Sequence, residues 1–329
     1  MTELRFIAGS GRSGTTWVLD ALADANGLRP VFEPLNPVVS NIGFNYAHRF
    51  LAPDASHPDL RAFFEDVIAG RRDRLWTQYR REGPRLLSFS SGPDIFTGGQ
   101  NLVFRWLKFL KEAPHLARMT MRPNPLVKCI RANLMLGWIA RQFDCRIVLL
   151  LRHPGAVIDS EMRNAWDPAP ALDRFRSDAG LHQLSGGRYR GLLGRKLTHA
   201  QGLAAQWLIE NQLAIEMAPA ANVAVFFYER LRTASDRSWE QLRVALDLER
   251  APDATVLAKP SQQTSPNRLA AQSPGASSVT WQETMSRDQI SEIQAVLDES
   301  EFDLYSMNDC QPHGSVANPV IAATSESQR

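Results

Sequence analysis

The chain has 329 residues, 44% of them hydrophobic, with three cysteines and a formal net charge of +2. That share of apolar residues builds a full core, and the near-neutral balance excludes a global field for nucleic acid or a membrane surface. Cys129, Cys145 and Cys310 are too few and too scattered for a disulfide framework or a metal site, and no apolar run reaches the length of a membrane span. With no charged-then-apolar leader at the N-terminus, a soluble, cytoplasmic protein is expected.

In chain order, "LRFIAG" (4–9) reads as a strand ending in glycine, and "TTWVLDALADA" (15–25) is apolar at helical spacing. Strand, tight loop and helix open a βαβ unit. "LRPVFEPLNP" (28–37) reads as a second strand stopped by prolines, 58–82 as an amphipathic surface helix pair, and 83–101 as a glycine- and serine-rich loop. "PLVKCI" (125–130) is a strand, 132–143 a helix, and "CRIVLLL" (145–151) a continuous apolar run, as expected of a central parallel strand covered on both faces. A helix follows over 155–166. Residues 167–198 mix Pro, Gly and Arg without a period, which suits either a lid over the acceptor or an ordinary surface excursion. Helix 199–218, strand 222–228, helix 237–248, a polar stretch 259–280 and helix 287–300 complete the pattern. Strands alternating with helices predict an α/β, P-loop-like three-layer fold, a mainly parallel sheet with helices on both faces. A single domain is expected over 1–310, with a disordered tail over 311–329.

The chemistry begins at "GSGRSGTTW" (9–17). Gly9 and Gly14 have the spacing of a triphosphate-binding loop, but Thr15 stands where that motif has lysine. An anion cradle survives the change. Glycines let backbone N–H groups converge, the helix directs its positive end at the same point, and Ser13, Thr15 and Thr16 add hydroxyls. Arg12 supplies a cation from within the loop. Farther on, "VLLLRHPGAVIDS" (148–160) sets Arg152 and Ser160 eight residues apart across a strand end and a helix start, which suits bidentate contact with a second phosphate.

Together these stretches resemble the PAPS-dependent sulfotransferases, whose loop reads G-x-x-[KR]-S-G-[TS]-[TS]-[WF]. The resemblance implies that Gly14, Thr15 and Thr16 hold the 5′-phosphate, that Gly11 and Ser13 also belong to the cofactor-binding loop, and that Arg12 neutralises the leaving phosphate oxygen. Arg152 and Ser160 clamp the 3′-phosphate, and Trp17 lies near the adenine unless it is simply core. "VFFYERL" (225–231) offers Tyr228 to the nucleotide. Arg268 falls where relatives fold a loop over the 3′-phosphate, although their R-K-G-x-x-G-x-W-K signature is absent, and Trp281 is either part of that loop or a packed core residue. "VFEPLNP" (31–37), Lys128 and Arg131 resemble the branch that sulfates 6-hydroxyls of GlcNAc, Gal or GalNAc.

By that resemblance PAPS is the co-substrate, no metal is needed, and the acceptor is a hydroxyl of a carbohydrate, glycolipid or small molecule. Glu33, ending a strand beside the loop, is the expected general base, unless it only pairs with Arg12 or Arg152. Lys128 assists at the sulfuryl group or pairs with an acid. His48, His115 and His182 are the alternative bases, and Phe44, Tyr46, Phe89 and Phe96 are aromatic candidates for the acceptor pocket or the core. His153, where many relatives carry Asp, reads as structural. The competing readings are a P-loop kinase or NTPase acting on a small molecule, which lacks its lysine here, and a catalytically inactive nucleotide-binding relative.

Overall fold

The computed structural model describes residues 3–37, 41–71, 124–233, 236–253, 257, 280–314 and 316. The second half of the helix pair over 58–82, the loop 83–101, and Phe89, Phe96, His115 and Arg268 lie outside these. Five strands form one sheet: β1 (Leu4–Gly9), β2 (Arg29–Phe32), β3 (Pro125–Cys129), β4 (Cys145–Leu151) and β5 (Val223–Phe227), in the order β2-β3-β1-β4-β5. Every neighbouring pair is parallel, so all carboxyl ends lie on one edge.

Alternation along the strands divides the core in two. Ile7, Leu126, Val148, Leu150, Ala224 and Phe226 face α1 (Thr15–Asn26), together with Trp239 and Leu242 of a later helix. Phe6, Ala8, Val127, Cys129, Leu149, Leu151 and Val225 face the opposite layer. Both faces of β4 are therefore covered, which is why its run is apolar without interruption.

The opposite layer is built by α2 (Asn41–Tyr46), α3 (Pro58–Ile68), a 3-10 turn (Asn133–Met135) running into α4 (Leu136–Gln142), and α5 (Pro154–Arg163). The segment read as irregular, 167–198, contains three short helices instead: α6 (Ala169–Ser177), α7 (Ala179–Leu184) and α8 (Arg190–Gly194). Leu172, Phe175, Leu181, Tyr189, Leu192 and Leu193 are buried in the core, but turns this short, broken by glycine pairs, show no period. Next come α9 (His199–Met217), α10 (Tyr228–Thr233), α11 (Asp236–Ala245), α12 (Thr280–Thr284) and α13 (Arg287–Glu299). Among the described residues no helix is long and apolar enough to cross a membrane.

The C-terminal segment folds back onto the strand end that carries Arg152. His153 is fully buried, stacked on Trp281 with 4.8 Å between ring centroids and edge-on to Tyr305 at 5.2 Å. Its Nδ1 accepts from Gly155 N at 3.1 Å, which leaves Nε2–H to donate to the Ser306 carbonyl at 3.1 Å. Trp281 is thus a core residue, and Gly155 has no Cβ because one would stand 2.7 Å from its ring.

Burial lowers the His153 pKa to about 4, against the pull of the Ser306 and Asp309 backbone. The unfolded chain takes up this proton first, so the stability is complete above about pH 6.5 and is lost as pH falls toward 4. Over that window wild type is expected to lose on the order of 3 kcal/mol relative to His153→Phe, measured by urea unfolding. A difference that stays constant with pH would show that His153 does not fold as a buried neutral imidazole.

Candidate functional site

The loop after β1 runs against the edge formed by the strand ends. Gly9 N donates to Asn133 Oδ1 at 3.0 Å, and Ser13 Oγ donates to the Ser10 carbonyl at 2.6 Å, closing the turn on itself. Ser13 therefore spends its hydroxyl hydrogen on the loop. Thr15 and Thr16 begin α1, and both are buried. No side chain caps that helix: its N-cap is Gly14, at φ 92°, so its first N–H groups point toward the loop without side-chain partners. Gly14 is required twice over, because a Cβ there would also stand 2.4 Å from the Tyr228 ring.

Arg12 sits at the crest of the loop with φ 59°, an unusual conformation for a residue with a side chain. Arg152 holds it there: Arg152 Nη1 donates to the Arg12 carbonyl at 2.8 Å. Arg12 Nε in turn donates to Ser160 Oγ, on α5, at 2.9 Å. The structure thus joins Arg12, Arg152 and Ser160 into one cluster between the ends of β1 and β4. The Arg152 guanidinium lies over the Tyr228 ring, 4.4 Å from its centroid, and its Nε is buried without a hydrogen-bond partner.

Two nearby acids are held toward their neutral forms. Burial pushes the Glu161 carboxyl well above the usual carboxylate range, aided by Glu210 and opposed by Arg12. Burial also raises Glu229, against the His153 N–H and the Arg152 charge. Both acids thus interact with the arginines of this cluster, which stands at an uncapped helix start. An orphaned Arg152 Nε and an uncapped helix start suit a phosphorylated ligand.

Trp17 takes the core place that was one of its two readings. It is buried edge-on between Tyr228, at 5.7 Å, and Trp239, at 5.1 Å, in the core beneath the loop. Arg232 lies over its ring at 5.1 Å.

Glu33 follows β2 in a left-handed conformation, φ 48°. It pairs with neither Arg12 nor Arg152. Oε1 accepts from Lys128 Nζ at 2.5 Å and from Ile130 N at 3.1 Å, while Oε2 accepts from Arg131 Nη1 at 2.9 Å. Lys128 and Glu33 are both nearly inaccessible, and the Lys128 ammonium lies 4.5 Å from the centre of the Phe32 ring. This is a buried, hydrogen-bonded ion cluster at the end of β3, next to the loop across the β1–β3 ladder.

The sequence reading passed over two carboxylates. Glu161 follows Ser160 by one residue, and its Oε1 would stand 2.9 Å from a Cβ on Gly11. Glu210, on α9, is buried and bonded through Oε1 to His48 Nδ1 at 2.5 Å. Both lie on helices whose sequence looks amphipathic at best, so nothing marked them as inward-facing. Of the acceptor-pocket aromatics that are described, Phe44 is exposed, while Tyr46 is buried and donates to Asp59 at 2.7 Å. His182 sits on α7, with Nε2 at 3.1 Å from the Arg176 carbonyl. Among the described residues no group of three or more His, Cys, Asp or Glu side chains is placed to hold a metal ion.

No family model matches the chain, and no curated protein matches it. Among solved structures it is similar to the sulfotransferase domain from the Synechococcus PCC 7002 olefin synthase. That likeness has 17% identity and a TM-score of 0.43, covering 89% of this chain and 94% of that one. The sulfotransferase domain from the curacin biosynthetic pathway is similar at 15% identity and a TM-score of 0.45, covering 93% of this chain and 99% of that one. At this level of likeness neither neighbour lends its activity to this chain.

Proposed function

We propose that the protein is a PAPS-dependent sulfotransferase acting on a hydroxyl of a carbohydrate, glycolipid or other small molecule. The observation that carries this reading is the 2.9 Å contact from Arg12 Nε to Ser160 Oγ. It joins a phosphate loop that has no lysine to a second anion-binding element, and a donor with two separate phosphates needs both.

PAPS supplies the activated sulfuryl group; the chain supplies binding and charge. The backbone of Gly11 to Thr16 and the start of α1 receive the 5′-phosphate, with Arg12 neutralising the oxygen that departs. Arg152 and Ser160 receive the 3′-phosphate, and Arg268 remains a proposed contact from outside the described residues. Tyr228 fixes the Arg152 plane from below by packing against it, which limits the entropy lost on binding. Trp17 supports that tyrosine from the core.

Glu33 takes a different part from the one its sequence context suggests. All of its bonds go to N–H groups of Lys128, Ile130 and Arg131, so a proton taken there would displace one of those contacts. Its work is to hold Lys128 beside the transfer as a fixed cation for the sulfuryl oxygens, in a site where preorganised charge dominates.

At a concentration about 100 times its Kd, PAP is expected to stabilise the protein by about 2.7 kcal/mol, read as a rise in melting temperature, whereas ATP with magnesium is not. Stabilisation by ATP with magnesium alone overturns the reading in favour of a P-loop kinase. Arg152→Ala should weaken PAP binding by on the order of 2–4 kcal/mol in calorimetry. Undiminished affinity in that variant would refute the 3′-phosphate assignment.

Glu33→Gln leaves the buried Lys128 and the partly exposed Arg131 around a neutral amide. Unfolding free energy should fall by about 3 kcal/mol, with PAPS turnover strongly reduced and PAP affinity within a few-fold of wild type. Full turnover in that variant removes the Glu33–Lys128 pair from the mechanism.

A further inference from the structure

We propose that His48, oriented by Glu210, is the base that takes the acceptor's proton; this rests on the sulfuryl-transfer reading above. His48 follows α2 in a left-handed conformation, φ 59°, and is pinned by its own N–H, which donates to the Arg131 carbonyl at 3.0 Å. Arg131 comes just after β3 and also pairs with Glu33, so the His48 backbone is fixed at the carboxyl edge of the sheet. A strained backbone at a polar side chain is affordable only where the surroundings enforce it.

The imidazole is built as a base. Glu210 Oε1 lies 2.5 Å from His48 Nδ1 and accepts also from Gln206 Nε2 at 3.3 Å. A carboxylate oxygen with an amide donor on one side requires Nδ1 to carry the hydrogen, which leaves the lone pair on Nε2. Among the described residues no hydrogen bond uses Nε2, and the side chain keeps 20% of its surface open while Glu210 keeps 3%. Geometry therefore leaves the imidazole partly open to solvent and buries the group that orients it.

The dyad is tied to the donor site through α9. Asn211, the residue after Glu210, donates to Ser10 Oγ of the loop at 2.6 Å. Glu161 interacts with both Glu210 and Arg12, and burial together with Glu210 pushes its carboxyl above the usual range. The charged groups around the dyad are Glu210 on α9, Arg49 beside His48 in sequence and Arg131 across its amide, with Glu161 and Arg12 behind Glu210. The other described histidines are differently engaged. His153 is buried and bonded at both nitrogens, His57 Nδ1 meets the Tyr46 hydroxyl, His182 Nε2 the Arg176 carbonyl and His199 Nε2 the Trp166 carbonyl, and His313 faces Asp309 at the surface.

The step balances without a further reagent. The acceptor oxygen bonds to sulfur while the bond from sulfur to the bridging phosphate oxygen breaks, and the electron pair of that bond leaves on PAP. The acceptor proton moves to Nε2 and then to solvent. Water can stand as acceptor, giving PAP and sulfate, so the test does not need the natural acceptor.

PAP release from PAPS in water is followed from pH 5 to 9 for the full chain, His48→Asn, His48→Ala and Glu210→Gln, with PAP affinity measured by calorimetry for each. Wild type is expected to lose rate toward acid along a limb set by protonation of the imidazole. His48→Asn should lose about 10²–10⁴-fold in kcat and also lose that limb, with PAP affinity within a few-fold of wild type. Added imidazole should restore part of the rate to His48→Ala, which a merely structural histidine would not allow. Glu210→Gln should lower kcat while leaving PAP affinity in place and should displace the acidic limb. His48→Asn with more than a third of wild-type kcat, or with the limb intact, overturns the proposal. So does a wild-type profile without an acidic limb, which needs no variant to fold. A wild type that neither binds PAP nor releases it from PAPS overturns the sulfuryl-transfer reading, and this proposal with it.

Discussion

Everything at the site depends on β1 lying between β3 and β4 with all three strands parallel. In that register Gly9 pairs with Leu150, and Ala8 with Cys129 and Leu149, so the chain turns away from three strands at the same level. Three residues beyond β1 stands Arg12, one beyond β4 stands Arg152, and one beyond β2 stands Glu33. None of these can move far without breaking a ladder, because each is anchored within three residues of a buried strand. In a doubly wound sheet this edge is where ligands bind, and here it also gathers the charge.

The strain in the backbone follows the same edge. Seven non-glycine residues among those described have positive φ, and Arg12, Glu33 and His48 are three of them. Each such residue costs on the order of 1 kcal/mol and persists only where hydrogen bonds over-determine it. Arg152 to the Arg12 carbonyl, Glu33 N to the Lys128 carbonyl and His48 N to the Arg131 carbonyl are those bonds. The three side chains are aimed by their backbones, which reduces what must be ordered when a ligand arrives.

Much of this was legible from the residues alone. Strand β1 and strand β4 fall on their predicted spans, because an unbroken apolar run bounded by glycine or arginine has few other uses. The loop's place between strand and helix was legible because Gly9 ends an apolar run and a helical period begins at Thr15. The helices within 167–198 were not, since their buried leucines are spread over turns too short to show a period. Glu161 and Glu210 were hidden for a different reason: a carboxylate on a helix reads as a solvated one until tertiary packing encloses it. Glu33 was found, but its partners were not, because Lys128 and Arg131 become its neighbours only through the pairing of β2 with β3. His48 carries no motif at all; its significance comes from a helix 162 residues away in sequence.

The stacking of Trp281, Tyr305 and Met307 around His153 and Gly155 bears on the order in which the protein matures. A growing chain that has been made through Phe227 already contains all five described strands, with Arg12, Arg152 and Ser160 among its residues. It does not yet contain the aromatic cover of the turn that follows Arg152. That cover is reached only about eighty residues farther along the chain. All five described strands thus precede this cover in the chain, and a chain ending before Tyr305 would leave His153 without its contacts to Tyr305 and Ser306.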